Sequence, residues 1–275
     1  MRRYLSLCAL ALTLFSGFAH AEVVNKPHGK ILIVSTSHAV IDKNKQKTGV
    51  WLEELAAPYY AFKEAGYDVV IASVKGGMPP IDPKSLEDAK KKEHVSYRFL
   101  NDKDAHAALE HSLKVSEVNV ADYEALYLPG GHGAMYDFVN DKHFIKTAQS
   151  FVDANKVIGA VCHGPAALLS LKKPNGEPLV KARKVNGFTN TEEERVGLRD
   201  AVPFLLESKL KEQGGIITRS NVPFRSFATR DGNLITGQNP ASSEMVAMMM
   251  IDALGNTSAQ KAPAEESPKE ERAKE

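Results

Sequence analysis

Short runs of consecutive apolar residues alternate along this chain with longer segments in which apolar residues recur every three or four positions. The apolar runs, each predicted to be a buried strand, are residues 30–35, 67–72, 125–129 and 157–161. Helical periodicity covers residues 49–66 and 142–155. Because strands alternate with helices, the pattern predicts an α/β fold, a doubly wound and mostly parallel sheet with helices on both faces.

The rest of the chain gives shorter or weaker patterns. Two further helices are predicted at residues 202–213 and 243–254. Short strands are predicted at residues 185–189, 216–218 and 234–236. Residues 75–120 are too long for a plain connection, so we predict a small insertion over the sheet, with a helix near 104–113. Residues 256–275, rich in Ala, Pro, Glu and Lys, are predicted to be a disordered tail.

The first 21 residues have the features of a secretory signal peptide. A basic start is followed by an apolar core at residues 5–15 and by the cleavage motif Ala19-His20-Ala21. The apolar core is too short to span a bilayer. We therefore expect an exported protein, periplasmic or secreted, whose mature domain covers residues 22–255 and has no membrane association once the signal is removed.

Removal of this segment changes the cysteine content and the charge of the chain. Of the two cysteines, Cys162 alone remains, which predicts either an intermolecular bridge or a free reactive thiol. Loss of Arg2 and Arg3 from the 35 basic residues leaves 33 against 34 acidic ones. A nearly neutral chain without a basic stripe is not expected to bind nucleic acid.

Cys162 follows the predicted strand 157–161 and precedes Gly164 and Pro165, which are typical of a helix start. At such a turn the N–H groups and dipole of the next helix are expected to favour the thiolate. The alternative is a buried and inert cysteine. The Gly130–Gly133 turn and Ser35 also follow predicted strands, so these residues are expected on the rim where α/β sheets bind ligands.

Four ordered motifs resemble one known family. They are Ala160–Pro165, Pro129–Gly133, Lys47–Pro58 with its Gly49 and Glu54, and Thr236–Ser242. The chain is similar here to the ThiJ/PfpI superfamily, within the class I glutamine amidotransferase-like group, and to its branch of glyoxalase III enzymes and stress chaperones. The resemblance runs from about Lys30 to Leu254 and implies a flavodoxin-like fold.

The same resemblance implies which side chains act. Cys162 corresponds to the nucleophile and His163 to its neighbouring histidine, while the spacing from Thr48-Gly49 selects Glu54 rather than Glu53 as the acid beside the sulfur. The carboxylate that orients the histidine follows Gly187-Phe188-Thr189, and the spacing selects Glu193. Glu192 and Glu194 flank Glu193 and stay open as alternatives. A further alternative is that the three glutamates simply form a solvent-exposed face.

Other rim groups receive weaker assignments. Backbone N–H groups near Gly131 and His163 are expected to hold a developing oxyanion. His132 is a candidate substrate-binding residue, although a packed rim histidine is the favoured interpretation. The histidine spacing does not point to a metal, and the implied reaction needs no cofactor.

The resemblance implies a cofactor-independent glyoxalase III-like lyase that converts methylglyoxal and related 2-oxoaldehydes into 2-hydroxy acids, so the expected partner is a small reactive aldehyde. The alternatives are a thiol amidase or peptidase, and a stress chaperone or redox sensor on the same fold. A homodimer and unfolded client proteins are further partners left open. Export departs from the resemblance, because members of this branch are mostly intracellular.

Overall fold

The structure, a computed structural model, describes residues 28–261, and of residues 256–261 the backbone only. Its strands are β1 Lys30–Ser35, β2 Val40–Ile41, β3 Gln46–Lys47, β4 Asp68–Ser73, β5 Leu113–Lys114, β6 Ala125–Leu128, β7 Val157–Val161, β8 Lys184–Val185, β9 Ile216–Ile217, β10 Ala228–Asp231 and β11 Leu234–Gly237. Its α-helices are α1 Leu52–Glu64, α2 Val95–Asn101, α3 Lys103–Glu110, α4 Ala134–Asn140, α5 Lys142–Asp153, α6 Asn190–Arg195, α7 Leu206–Glu212 and α8 Ser243–Lys261. The predicted signal peptide lies outside the described residues.

Seven strands form the central sheet in the order β10-β11-β7-β6-β1-β4-β5. Every neighbouring pair is parallel except β10 and β11, which are antiparallel. Two-stranded pairs, β2 with β3 and β8 with β9, lie outside this sheet. The prediction of a mostly parallel, flavodoxin-like α/β sheet is confirmed.

The central strand β1 shows why its sequence is an unbroken apolar run. Leu32 and Val34 belong to one hydrophobic cluster, while Ile31 and Ile33 belong to the other. Because successive side chains of a strand point to opposite faces, a strand covered on both faces must be apolar at every position. The sheet is thus the middle layer between two cores.

The predicted insertion packs against α1 and also extends the sheet. Phe99 on α2 lies edge-on to Tyr59, with ring centroids 5.3 Å apart, and is fully buried. The segment ends in β5, which pairs with the end of β4. The periodicity near 104–113 corresponds to α3. The helices α2, α4 and α6 and the strands β2, β3, β5 and β10 were not predicted, since each is seven residues or shorter and carries little periodic signal.

Two helix ends differ from the sequence-based expectation. Helix α7 begins at Leu206 rather than at residue 202. Helix α8 continues to Lys261, so the first six residues of the predicted disordered tail are helical; residues 262–275 lie outside the described part of the chain. No proline interrupts residues 255–261, and alanine, glutamine and lysine there are good helix formers. Within the described residues, no helix has the length and apolar character that crossing a bilayer requires.

The sheet order brings the carboxyl ends of β6 and β7 side by side, with Leu128 in register with Ala160. The loop after β6 therefore meets the turn after β7. Helix α1 approaches the same place, because the Trp51 N–H at its start donates to the Gly130 carbonyl at 3.2 Å. The candidate site lies where these three segments converge.

Candidate active site

Cys162 occupies a strained turn directly after β7. Its φ is 58°, in the left-handed region that side-chain-bearing residues seldom adopt. Two hydrogen bonds hold this backbone: its N–H donates to the Gly237 carbonyl at 2.9 Å, and its carbonyl accepts from the Phe188 N–H at 2.8 Å. Strain of this kind is kept only where the surrounding structure enforces it, and it collects at functional sites. The following segment, Gly164–Ser170, is a 3₁₀ helix rather than the α-helix expected.

Glu54 lies in the first turn of α1 and is completely buried. Its Oε2 accepts the Gly130 N–H at 2.7 Å, which ties the helix to the loop after β6. Burial raises the pKa of Glu54 well above its usual range, although the neighbouring Cys162 thiol and the Gly130 N–H act in the opposite direction. Its neighbour Glu53 is half-buried and faces Asp88 and His94 instead. The structure thus places Glu54, and not Glu53, against the sulfur.

Glu193 holds two histidines at once. Its Oε2 lies 2.8 Å from Nε2 of His163, and its Oε1 lies 2.8 Å from Nε2 of His132. The two imidazole rings are 4.0 Å apart between centroids. Burial opposes the charge of Glu193, but the two histidines bound to it hold its pKa well below its usual range. His132, expected to be a packed rim residue, is therefore part of the same network as His163.

The two glutamates beside Glu193 face elsewhere. Glu192 is also buried, but its carboxylate accepts hydrogen bonds from the backbone N–H groups of Thr189 and Phe224. Glu194 is exposed and pairs with Arg199 at 3.7 Å. Of the three candidates for the carboxylate that orients His163, Glu193 is the one in contact with it, and the solvated-face interpretation applies to Glu194 alone.

The Cys162 thiol is not favoured as a thiolate in the way the turn alone predicts. Burial raises the pKa of Cys162 well above its usual value, and the Glu54 carboxylate beside it adds to the increase, while the Gly131 N–H opposes it. The prediction that the next helix lowers the pKa of Cys162 is therefore wrong in direction. Desolvation and a neighbouring negative charge outweigh the dipole of one short 3₁₀ helix. Burial also lowers the pKa of His163, whose Nδ1 lies 3.3 Å from the Cys162 Sγ, which favours a neutral imidazole.

Gly131 supplies a backbone N–H to the sulfur from a position that excludes any side chain. Its φ is 90°, and a Cβ atom there would lie 2.0 Å from the Gly49 carbonyl oxygen and 2.8 Å from the Trp51 nitrogen. Only glycine allows this close approach of two backbone segments. The His163 backbone nitrogen lies in the adjoining turn, against Gly130. Both expected oxyanion donors are therefore at the rim beside Cys162.

A cavity of about 190 Å³ opens in front of the thiol. Although Cys162 is only 3 % exposed, it lines this cavity together with Gly131, His132 and His163. The cysteine is thus buried among protein atoms and yet lines a cavity, which does not match the inert-cysteine alternative. The remaining wall is mostly apolar.

Two groups of side chains in the described residues have the spacing of metal ligands. Ligand atoms of His132, His163 and Glu193 lie within 4.8 Å of one another, as do those of Glu53, Asp88 and His94. In the first group both imidazole Nε2 atoms are engaged by Glu193. The sequence did not indicate either group, because their members come from separate segments of the chain.

Several cavity residues carry no sequence motif that would identify them. Trp51 at the start of α1, Val196 and Leu198 after α6, and Phe224 in a late loop all line the cavity. Phe188 was quoted only as part of a motif, yet its ring packs on the His163 imidazole with centroids 4.7 Å apart. These side chains are ordinary apolar residues, and only the fold brings them together.

Known proteins are similar to this chain over most of its length. The DJ-1/PfpI family model matches residues 47–253. The chain is 30% identical over 230 residues to the Glyoxalase 3 of Candida albicans, a match that covers 82% of this chain and 98% of that protein. Among solved structures, the Rapid Encystment Protein 24 KDa of Francisella tularensis is 37% identical with a TM-score of 0.77, over 82% of this chain and 99% of that one. The structure of glyoxalase III from Candida albicans is 30% identical with a TM-score of 0.73, over 82% of this chain and 97% of that one.

Proposed function

Because this chain belongs to the DJ-1/PfpI family, we propose that it is a glutathione-independent glyoxalase that converts methylglyoxal and related 2-oxoaldehydes into 2-hydroxy acids. The observation that carries the proposal is the buried Glu54 carboxyl beside the thiol of Cys162, which itself lines a small cavity. An acid beside a nucleophile suits a reaction in which a thiol adds to a carbonyl carbon and a proton then moves between adjacent carbons. The similarity to proteins named as glyoxalases supports the same conclusion.

The attacking group is the Cys162 thiolate with a protonated Glu54 beside it. Burial raises the pKa of both groups, so the pair does not readily carry two negative charges. When the proton resides on Glu54, the charge that opposes the thiolate is removed and the neutral acid donates a hydrogen bond to the sulfur. The Gly131 N–H stabilises the same charge.

The sulfur then bonds to the aldehyde carbon and gives a hemithioacetal alkoxide. Backbone N–H groups of Gly131 and His163 lie at this rim and stabilise the oxyanion, a contribution of the order of 10²-fold or more in rate per donor. The alkoxide takes the proton of Glu54, and the carboxylate left behind, which is completely buried, can act as a base.

Proton transfer by Glu54 completes the internal redox step. Its carboxylate removes the hydrogen of the former aldehyde carbon and returns a proton to the former ketone carbon through an enediol. The hydroxyl proton of the first carbon passes to the oxygen of the former ketone. The first carbon is thereby oxidised to a thioester while its neighbour is reduced to an alcohol, so no external oxidant or reductant is consumed. Water then cleaves the carbon–sulfur bond; His163, oriented by Glu193, accepts the water proton, and the thiol is regenerated.

Lactate formation from methylglyoxal without added glutathione tests this assignment. The full mature protein should form lactate, and Cys162→Ala should abolish turnover while the protein stays folded by circular dichroism. Undiminished activity in Cys162→Ala would overturn the mechanism. A panel of amide and peptide substrates run in parallel separates the thiol amidase alternative, which would release amine from them instead.

A second candidate function, binding of unfolded client proteins, is favoured by exposed apolar side chains. Met248 on α8 is 56 % exposed, and Met78 and Leu113 in the insertion are also exposed. Suppression of client aggregation by Cys162→Ala, with turnover abolished, would establish a separate chaperone activity. Light scattering on the same preparation measures whether the protein is a homodimer. Reversible formation of a sulfenate at Cys162 at low peroxide concentration would identify a redox sensor.

We further propose that the protein acts after export, in the periplasm or outside the cell. The support is the signal-like sequence of residues 1–21, which lies outside the described residues. Mass spectrometry of the protein purified from its natural host should find Glu22 as the N-terminus. A chain that retains Met1 in the cytoplasmic fraction would contradict the proposal.

A further inference from the structure

The cavity in front of Cys162 has more apolar wall than a three-carbon substrate can cover. Its volume is about 190 Å³, and its apolar side chains are Trp51, Phe188, Val196, Leu198, Phe224 and Pro240. An apolar cavity of about 150 Å³ is large enough to hold benzene. Methylglyoxal presents a single methyl group, so most of this wall would stay uncovered when methylglyoxal is bound.

The aromatic part of the wall extends from the reactive groups to the protein surface. The Phe188 ring packs on the His163 imidazole at 4.7 Å, and the Phe224 ring lies 6.2 Å from that of Phe188. Phe224 is 42 % exposed. A substituent that continues outward from a carbonyl bound at Cys162 therefore meets two phenylalanine side chains in succession.

The backbone of Phe224 is held in place by a buried carboxylate. Its φ is 62°, a left-handed conformation, and its N–H donates to Glu192 Oε1 at 2.7 Å. The same oxygen accepts from the side chains of Gln238 and Asn239, both at 2.9 Å. Since Glu192 precedes Glu193, one short helix orients the histidines and also fixes this part of the cavity wall. A wall that is ordered before binding loses little entropy when it contacts a substrate.

From the volume, the apolar lining and the anchored Phe224, we propose that the site prefers 2-oxoaldehydes with a branched aliphatic or aromatic substituent over methylglyoxal, and that Phe224 determines this specificity. The inference rests on the proposed glyoxalase function, from which it takes the reacting 2-oxoaldehyde group and its conversion with water into a 2-hydroxy acid. Each added methylene that contacts an apolar wall is expected to raise kcat/KM by up to about tenfold.

The test measures kcat/KM of the mature protein for methylglyoxal, ethylglyoxal, isobutylglyoxal and phenylglyoxal. The aliphatic members keep similar carbonyl chemistry, so their differences report contacts with the substituent. We expect kcat/KM to be at least about tenfold higher for isobutylglyoxal than for methylglyoxal. Phe224→Ala should bring this ratio to within about threefold of unity, and Phe224→Leu should give an intermediate ratio, because leucine restores part of the apolar surface.

Val222→Ala is the matched control, because Val222 lies in the same loop, is 52 % exposed and does not line the cavity. It should keep the wild-type ratio. Equal kcat/KM across the series would overturn the inference and leave the glyoxalase function standing. If kcat/KM rises with substituent size and Phe224→Ala leaves this increase unchanged, the role of Phe224 is overturned. Absence of turnover for all four compounds by folded protein would overturn the glyoxalase function and, with it, this inference.

Discussion

The carboxyl group of Glu54 lies beside the thiol of Cys162 in the protein interior, although one belongs to the first helix and the other to the turn after β7. Burial raises the pKa of each. A proton held between them neutralises one charge and leaves the other available for reaction. The proposed chemistry depends on this pairing more than on either residue alone.

Replacement of Glu54 by glutamine tests the proton-transfer role. Glutamine retains an oxygen that can accept the Gly130 N–H, but its amide cannot carry a proton between carbons. We expect Glu54→Gln to lower kcat for methylglyoxal by about 10²- to 10⁴-fold, with a much smaller change in KM. Steady-state kinetics measure both values. Glu53→Gln serves as the control, because Glu53 is one residue away but faces Asp88 and His94 instead of the sulfur. A loss in Glu54→Gln of less than about tenfold would be inconsistent with proton transfer by Glu54.

The carboxylate of Glu193 is expected to act through the histidines it orients. Glutamine has one accepting oxygen and one donating amide, so Glu193→Gln cannot accept hydrogen bonds from both His132 and His163. We expect kcat to fall by about 10²-fold or more, because the imidazole near the sulfur loses its tautomer and orientation.

Glu194→Gln changes the same charge at an exposed position and should leave kcat unchanged. Nitrogen-15 NMR of the histidine side chains provides a second measurement, because it reports the tautomer of each imidazole. Unaltered His163 resonances in Glu193→Gln would speak against the orienting role, whatever the kinetics show.

Steric exclusion at Gly131 predicts a loss of both stability and activity in Gly131→Ala. The added Cβ would lie 2.0 Å from the Gly49 carbonyl oxygen, so the backbone that presents the N–H to the sulfur must move. We expect the free energy of unfolding to fall by more than about 2 kcal/mol. Gly77→Ala is the control, because Gly77 also has a positive φ but no atom near an added Cβ. In Gly77→Ala the free energy of unfolding should fall only by the backbone strain, about 1 kcal/mol. Urea denaturation measures the difference between the two variants.

Glu192 is expected to be a determinant of stability. Its carboxylate accepts five hydrogen bonds, from the Thr189 N–H and hydroxyl, the Phe224 N–H, and the side chains of Gln238 and Asn239. Glu192→Ala leaves these donors without a partner in the interior, which should lower the free energy of unfolding by about 3 kcal/mol or more. Glu194→Ala, at an exposed position, should change it by less than about 0.5 kcal/mol. Equal urea midpoints for the two variants would contradict this account.

The Asp137 carboxyl provides a pH-dependent prediction. Burial raises its pKa to about 6, although the Ser37 N–H and the Thr36 hydroxyl both donate to it. Because the folded state then binds a proton that the unfolded state has released, the contribution of Asp137 is fully present below its unfolded pKa of about 4 and is lost as the pH rises to about 6. NMR of the carboxyl carbon should give a midpoint near pH 6, and Asp137→Asn should remove this part of the pH dependence of unfolding. A midpoint below about 4 would contradict the prediction.

The five inner strands of the central sheet could be predicted from the sequence with little error, whereas the edge strands β5 and β10 were missed. Val157–Val161 is a strand with the same bounds in the structure, and β1 also matches its prediction. Both strands are buried on two faces, which requires an unbroken apolar run and makes the pattern easy to recognise. The short helices α4 and α6 were missed, because in six or seven residues tertiary contacts outweigh helical periodicity.

The amino-acid sequence by itself determined the parallel sheet, the position of Cys162 at a strand end and the motifs of its family, because these depend on residue order and local periodicity. Only the tertiary structure decided that Glu193 contacts both His132 and His163, that burial raises the pKa of Cys162, and which apolar side chains line the cavity. Desolvation, charge proximity and cavity shape depend on atoms brought together from distant parts of the chain. No spacing along the sequence encodes those distances.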